Sequence, residues 1–281
     1  MTALLGAADL MEQPADVLLD VQWTLVVSPT PGEQLPGSRA YEQAHLPGAW
    51  FADLETVFAD PPGDGGRHPL PELGNLQSLL RRAGADLDSR IVVYDGGNSM
   101  SAARAWWVLR DAGLTDVSVL DGGLAAWQQA GGEVTSEPPS PTRISDIDLS
   151  PGHVAVVTAS QAGPLAQRGR LIDARAPERY RGDEEPIDPV AGHIPGAINL
   201  PTSENLGADQ RFLSGSELRS RFAEAGVDDG GELGVYCGSG VTAAHEILAL
   251  HEAGIEALLY PGSWSEWVRD PSRPVATGPN P

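Results

Sequence analysis

The chain contains no lysine: all 18 of its basic residues are arginine. That absence excludes Schiff-base chemistry, pyridoxal phosphate attachment and a phosphate loop of the Walker type. Cysteine is nearly absent too, with Cys237 as the single example. An internal disulfide, an iron-sulfur cluster or a thiolate zinc site would each need ligands that one cysteine does not supply, so neither metal nor cofactor is expected. Positive charge is scarce against 39 Asp and Glu, and the formal net charge of -21 repels polyanions. Nucleic acid and anionic membrane surfaces are therefore set aside as partners. Long apolar runs are missing as well. The first residues, Met1 to Met11, have no basic stretch and carry Asp9, so they do not read as a signal peptide, and a cytoplasmic protein is the default expectation.

What remains is 281 residues, 41% of them hydrophobic, a composition of folded proteins and a length for about two domains at roughly 150 residues each. The second half restates the first at a spacing of about 140 to 153 residues. Val17-Leu-Leu-Asp20 returns as Leu171-Ile-Asp173, and His45-Leu-Pro-Gly-Ala49 as His193-Ile-Pro-Gly-Ala197. Val92-Val-Tyr-Asp95-Gly96 returns as Gly234-Val-Tyr-Cys237-Gly238, and Leu120-Asp-Gly-Gly123 as Leu259-Tyr-Pro-Gly262. Four matches in one order imply a duplicated domain. The stretch 136–151, rich in Pro, Ser and Asp, cannot sustain helix or sheet periodicity and reads as a linker between copies at 1–135 and 152–281.

Short apolar runs at 17–21, 91–95, 117–120, 170–173, 197–200, 233–236 and 257–260 predict strands. Helical patterns fall at 75–83, 101–112, 216–225 and 242–253, and Ser214 with Glu217 predicts a capping box for the third of them. Strands alternating with helices imply an α/β fold of parallel sheets with helices on both faces, in which ligands bind where strands end and helices begin.

Cys237 sits at such a junction. It follows Leu233-Gly-Val-Tyr236 and precedes Gly238-Ser239-Gly240-Val241-Thr242, which leads into a helix. Unpaired backbone N–H groups and the positive end of the helix dipole stabilise a thiolate there, and the glycines let those groups turn inward as an anion cradle. The reading requires a thiol that reactants can reach and amides that face it. A phosphatase of the Cys-x5-Arg type would need arginine where Ala243 stands, so that chemistry is disfavoured.

The paired His-x-Pro-Gly-Ala segments, Asp173-Ala-Arg175 and the loop Cys237-Gly-Ser-Gly-Val-Thr-Ala243 together resemble the tandem-domain rhodanese sulfurtransferases, over nearly the whole chain. The loop is similar to that of the 3-mercaptopyruvate branch, whereas thiosulfate-specific members tend to carry basic residues after the cysteine. The resemblance implies two rhodanese-like domains and a sulfane sulfur carried on Cys237 as a persulfide. The donor would be 3-mercaptopyruvate or, with the same persulfide, thiosulfate. A thioredoxin, a small thiol or cyanide would accept the sulfur, since the chain has no second cysteine. It also implies an inactive first copy, with Asp95 at the cysteine position. A reading of a different class is a module that binds a partner or senses oxidants without transferring sulfur.

Arg179 matches the family's substrate-binding arginine, and Arg181 is a second candidate beside it. The arginine often found nine residues on is replaced by Asp188, so Arg67 completes the anchor or the donor differs. The segment Gly66-Arg-His-Pro-Leu-Pro71 occupies the place of the family loop that reaches over the active site, and the resemblance implies that His68 meets Ser239 and an acid, Glu55 or Asp53, as a proton-handling group. Both His45 and His193 read as braces of the Pro-Gly turn, and Asp20 and Asp173 as anchors of neighbouring loops. The residues Trp106, Trp107, Trp127, Trp264 and Trp267 read as core, with Trp264 near enough to the strand ends to line the pocket.

Overall fold

A computed structural model describes residues 2–24, 37–141 and 143–281 and divides the chain into two compact units. The first comprises Met1–Asp60, Leu70–Val154 and Ala208–Arg211; the second comprises Pro61–Pro69, Ala155–Gly207 and Phe212–Pro281.

The first unit carries strands β1 (Leu4–Leu5), β2 (Val17–Asp20), β3 (Trp50–Phe51), β4 (Ile91–Tyr94) and β5 (Val117–Leu120) in one sheet, ordered β1-β5-β4-β2-β3. Every pairing is parallel, with Asp20 beside Tyr94 at the ends of the central strands. All four β4 residues are buried, which is why that strand reads as an unbroken apolar run rather than an alternating one. Residues 136–151 form neither helix nor strand where described. Their backbone is tied down at Ile147, whose carbonyl accepts from Arg81 Nε at 2.9 Å, and at Leu149, whose N–H donates to Gln77 Oε1 at 2.8 Å. Thr142 of this stretch lies outside the described residues.

The second unit repeats the plan with β6 (Leu171–Asp173), β7 (Ile198–Asn199), β8 (Gly234–Tyr236) and β9 (Leu258–Leu259), all parallel, in the order β7-β6-β8-β9. Asp173 pairs with Tyr236, so the segments following both central strands emerge side by side. Helix Gly215–Glu224 opens with the capping box that Ser214 and Glu217 predict. The core of this unit gathers Leu165, Leu171, Ile194, Tyr236, Trp264 and Trp267.

The two His-x-Pro-Gly turns are braced alike. In the first unit His45 Nδ1 lies 2.7 Å from Tyr41 O, the two rings stack at 3.8 Å, and the Leu46 N–H donates to Tyr94 Oη at 3.0 Å. In the second, His193 Nδ1 lies 2.8 Å from Tyr180 O, the rings stack at 3.7 Å, and the Ile194 N–H donates to Tyr236 Oη at 3.1 Å. These histidines are architecture. The duplication is thus visible as repeated hydrogen bonds as well as repeated sequence.

Candidate active site

Cys237 follows β8 directly and is held by its backbone. Its N–H donates to Ser263 Oγ at 3.1 Å, and its carbonyl accepts from the Trp264 N–H at 3.0 Å. The next carbonyl, of Gly238, accepts from the Ser265 N–H at 2.9 Å. Ser263 adopts a positive φ of 52°, uncommon for a residue with a Cβ. Its hydroxyl donates in turn to Tyr260 O at 2.9 Å, so the loop 260–265 is a clamp under the cysteine. Neither Ser263 nor Ser265 was identifiable as a site residue from sequence, because each acts through a turn that only the folded chain brings to Cys237.

One amide of the cradle faces the sulfur: the Gly240 N–H donates to Cys237 Sγ at 3.1 Å. Gly240 has φ of 83° and caps helix Val241–Glu252, so Val241 and Thr242 form the first turn of that helix, whose positive end adjoins the sulfur. The thiol itself is closely surrounded, with Cys237 only 2% exposed. The thiol is thus buried, against the expectation of a cysteine that reactants reach freely.

Ser239 and His68 meet, Oγ to Nδ1 at 2.7 Å. His68 arrives with the segment Pro61–Pro69, whose Gly63 and Gly66 exchange backbone hydrogen bonds in a tight turn. Gly66 has φ of 101°, and a Cβ there would come within 2.7 Å of Gly262 O, so only glycine fits. The following Arg67 N–H donates to Ser265 Oγ at 3.0 Å, which fixes the approach of both Arg67 and His68. Glu55 belongs to the first unit, where it follows Asp53, the N-cap of the short helix Leu54–Val57, and accepts from Trp23 Nε1 at 2.9 Å.

The arginines separate into three roles. Arg175 is structural: it grips Asp173 through Nη2 at 2.6 Å and Nε at 3.0 Å, donates to Gly192 O, and stacks 4.7 Å from the Trp264 ring. Burial works against its charge, but Asp173 more than offsets this and holds its pKa above the ordinary arginine value. Arg181 lies at the surface, its side chain 37% exposed and its Nε 2.7 Å from Asp183 Oδ2, the surface pairing that most charged runs adopt. Arg179 and Arg67 converge. Arg179 donates to Glu185 Oε1 at 2.6 Å and reaches Asp188 Oδ2 at 3.5 Å, while Arg67 Nη1 pairs with Asp188 Oδ1. Both guanidinium groups lie against Gly238, where an added Cβ would come 2.8 Å from Arg67 Nη2 and 3.4 Å from Arg179 Nη2.

The two carboxylates differ in their titration. Burial raises the pKa of both, but at Glu185 the hydrogen bonds from Arg179, Asp188 N and Ile187 N prevail and hold it below the usual range. At Asp188 burial prevails, helped by the negative charge of Glu185, and its pKa is raised despite Arg67 and Arg179.

Rhodanese-like domains match this chain twice, over residues 6–130 and 158–270. The chain belongs to the rhodanese-like domain family. Among its relatives, SseB of Mycobacterium tuberculosis, a thiosulfate sulfurtransferase by assigned name only, is 48% identical over 284 residues, covering 98% of this chain and 97% of its own. A Pseudomonas aeruginosa protein, again by assigned name only a 3-mercaptopyruvate sulfurtransferase, is 48% identical over 252 residues, covering 86% of this chain and 87% of its own. The crystal structure of the Escherichia coli 3-mercaptopyruvate sulfurtransferase SseA superimposes with a TM-score of 0.76 at 32% identity, over 94% of this chain and all of that one. The two units share one α/β plan. Among the described residues no helix is long and apolar enough to cross a membrane.

The first rhodanese-like unit fills its own cradle. Asp95 follows β4 as Cys237 follows β8, and its carboxylate accepts from the N–H groups of Gly97, Ser99, Ser101 and Ala102 and from Ser101 Oγ, at 2.9 to 3.3 Å. A loop of this kind therefore holds an anionic side chain in the first unit.

Proposed function

We propose that this chain is a sulfurtransferase that takes a sulfane sulfur from 3-mercaptopyruvate onto Cys237 and passes it to an external thiol. The observation that carries the reading is the convergence on Cys237 of three elements: the Gly240 amide on Sγ, the Ser239–His68 pair, and the Arg67 and Arg179 guanidinium groups against Gly238.

The thiolate of Cys237 attacks the sulfur of the donor; an S–S bond forms, the donor's C–S bond breaks, and the bonding pair leaves on the pyruvate enolate. The proton carried by the transferred sulfur passes to that enolate, giving pyruvate and a deprotonated persulfide. Ser239 and His68 are the proton carriers of this step, since a hydroxyl and an imidazole 2.7 Å apart can relay one proton without either leaving its place. Arg179 and Arg67 anchor the donor carboxylate, guanidinium groups being suited to two-point recognition of a planar anion. Amides of residues 238–242, led by Gly240, hold the negative charge of the persulfide. In the second half-reaction an acceptor thiolate attacks the outer sulfur, and Cys237 leaves as thiolate. The chain has no other cysteine to do this internally, so a thioredoxin or a small thiol of a reducing cytoplasm is the acceptor, with cyanide as its laboratory substitute.

The test is intact mass after exposure to 3-mercaptopyruvate. The expected result is the gain of one sulfur atom, mapped to Cys237, removed by cyanide and absent in Cys237→Ser. Sulfur transfer that survives in Cys237→Ser overturns the mechanism, and failure to gain sulfur from any donor favours a binding or sensing module instead.

A further inference from the structure

Asp188 occupies the place where an anionic donor would be anchored. Its two oxygens are divided between two cations, Oδ1 to Arg67 and Oδ2 to Arg179, and its side chain is only 4% exposed. Glu185, equally buried, binds the far edge of Arg179 and lies 3.4 Å from Arg175. Counting the cluster, the three guanidinium groups of Arg67, Arg175 and Arg179 face the three carboxylates of Asp173, Glu185 and Asp188. The anchor beside Cys237 is therefore charge-neutral before any donor arrives. Because these carboxylates are shielded from water, their repulsion of an incoming anion is weakly screened.

We infer that Asp188 is a specificity-determining residue that selects donors by charge, admitting singly charged carboxylates and disfavouring dianions such as thiosulfate. The inference rests on the sulfur-transfer reading above. A monoanion takes the neutral cluster to a net charge of −1, which exchange with the Asp188 carboxylate for one guanidinium can accommodate, whereas a dianion takes it to −2. Coulomb repulsion scales with the charge on the donor, so removing the Asp188 charge helps a dianion about twice as much, in free energy, as a monoanion.

The experiment compares kcat/KM for thiosulfate and 3-mercaptopyruvate, with cyanide as acceptor at one ionic strength, in the wild type, Asp188→Asn and Asp188→Glu. The neutral variant is expected to raise the thiosulfate to mercaptopyruvate ratio by about tenfold or more, carried by KM rather than kcat, as one unit charge a few ångströms away would. Asp188→Glu, which restores the charge, is expected to keep the wild-type ratio. Asp188→Ala supplies the neutral state if the Asn variant does not fold. The inference is overturned if the ratio stays constant in a neutral variant that still turns over both donors, or if Asp188→Glu shifts it as far as the neutral variants do. A wild-type protein that transfers sulfur from neither donor removes the functional reading and this role with it, whereas a constant ratio leaves the functional reading standing.

Discussion

Glu246 lies in the middle of helix Val241–Glu252, the helix that begins at the reactive loop, and it is fully buried. Its Oε2 accepts from Asn205 Nδ2 at 2.6 Å, and Arg221 Nη1 stands 3.6 Å from Oε1. Burial pushes the carboxyl pKa from 4.5 up to about 7, with Arg221, Asn205 and Thr202 pulling it only part of the way back. A folded-state value above the unfolded one means that the folded protein binds the extra proton. The stabilisation is fully present below pH 4.5 and is lost as pH rises through about 7. A rise from 4.5 to about 7 corresponds to about 3 kcal/mol. The perturbation is Glu246→Gln, which keeps the shape and the acceptor oxygen but does not titrate. Urea unfolding of both proteins between about pH 4 and pH 8 isolates the group, because every other titration is common to the two. The variant is expected to gain on the wild type by about 3 kcal/mol across that window. A stability difference that stays flat with pH would refute the reasoning, since it would mean that Glu246 ionises in the folded state as readily as in the unfolded chain.

Two further substitutions test the cradle and its counterpart. Gly238→Ala is expected to fold with less than about 1 kcal/mol of loss, because the obstructing atoms are flexible guanidinium ends. Sulfur loading should nevertheless need a several-fold higher donor concentration, seen in the KM for 3-mercaptopyruvate, as Arg67 is pushed off its position. Asp95→Ala strips the acceptor from four amides, three of them buried, and is expected to cost about 3 kcal/mol or more in chemical denaturation, with Asp95→Asn recovering part of the loss.

The reactive loop was legible in the sequence because its signals are local: an apolar strand, one cysteine, two spaced glycines and a helical pattern within about 15 residues. The braces His45 and His193 were legible because the chain states them twice. Strand positions agreed to within one or two residues for seven runs, but β1 and β3 were missed, since two residues such as Leu4–Leu5 or Trp50–Phe51 carry no periodicity. Helix Ala159–Gln167 was missed with Pro164 inside it; its capping box, Thr158 with Gln161, was the signal that could have found it. The arginines show the limit most clearly. Arg179 and Arg181 are two residues apart in one acidic run, yet one faces Gly238 and the other pairs with Asp183 at the surface. Only the turn of helix Pro177–Arg181, over which neighbours two apart point to different sides, separates them. Ser263 and Ser265 act from a loop about 26 residues beyond the cysteine, a distance over which sequence pattern says nothing about contact.

The segment Pro61–Pro69 lies in sequence within the first repeat but folds as part of the second unit, where it delivers Arg67 and His68. The groups that the proposed function gathers at Cys237 are consequently discontinuous along the polypeptide. A ribosome that has finished the first repeat has already made Arg67 and His68, about a hundred residues before it reaches Cys237. On the proposed reading, neither copy cut away alone would hold all the groups that meet at Cys237.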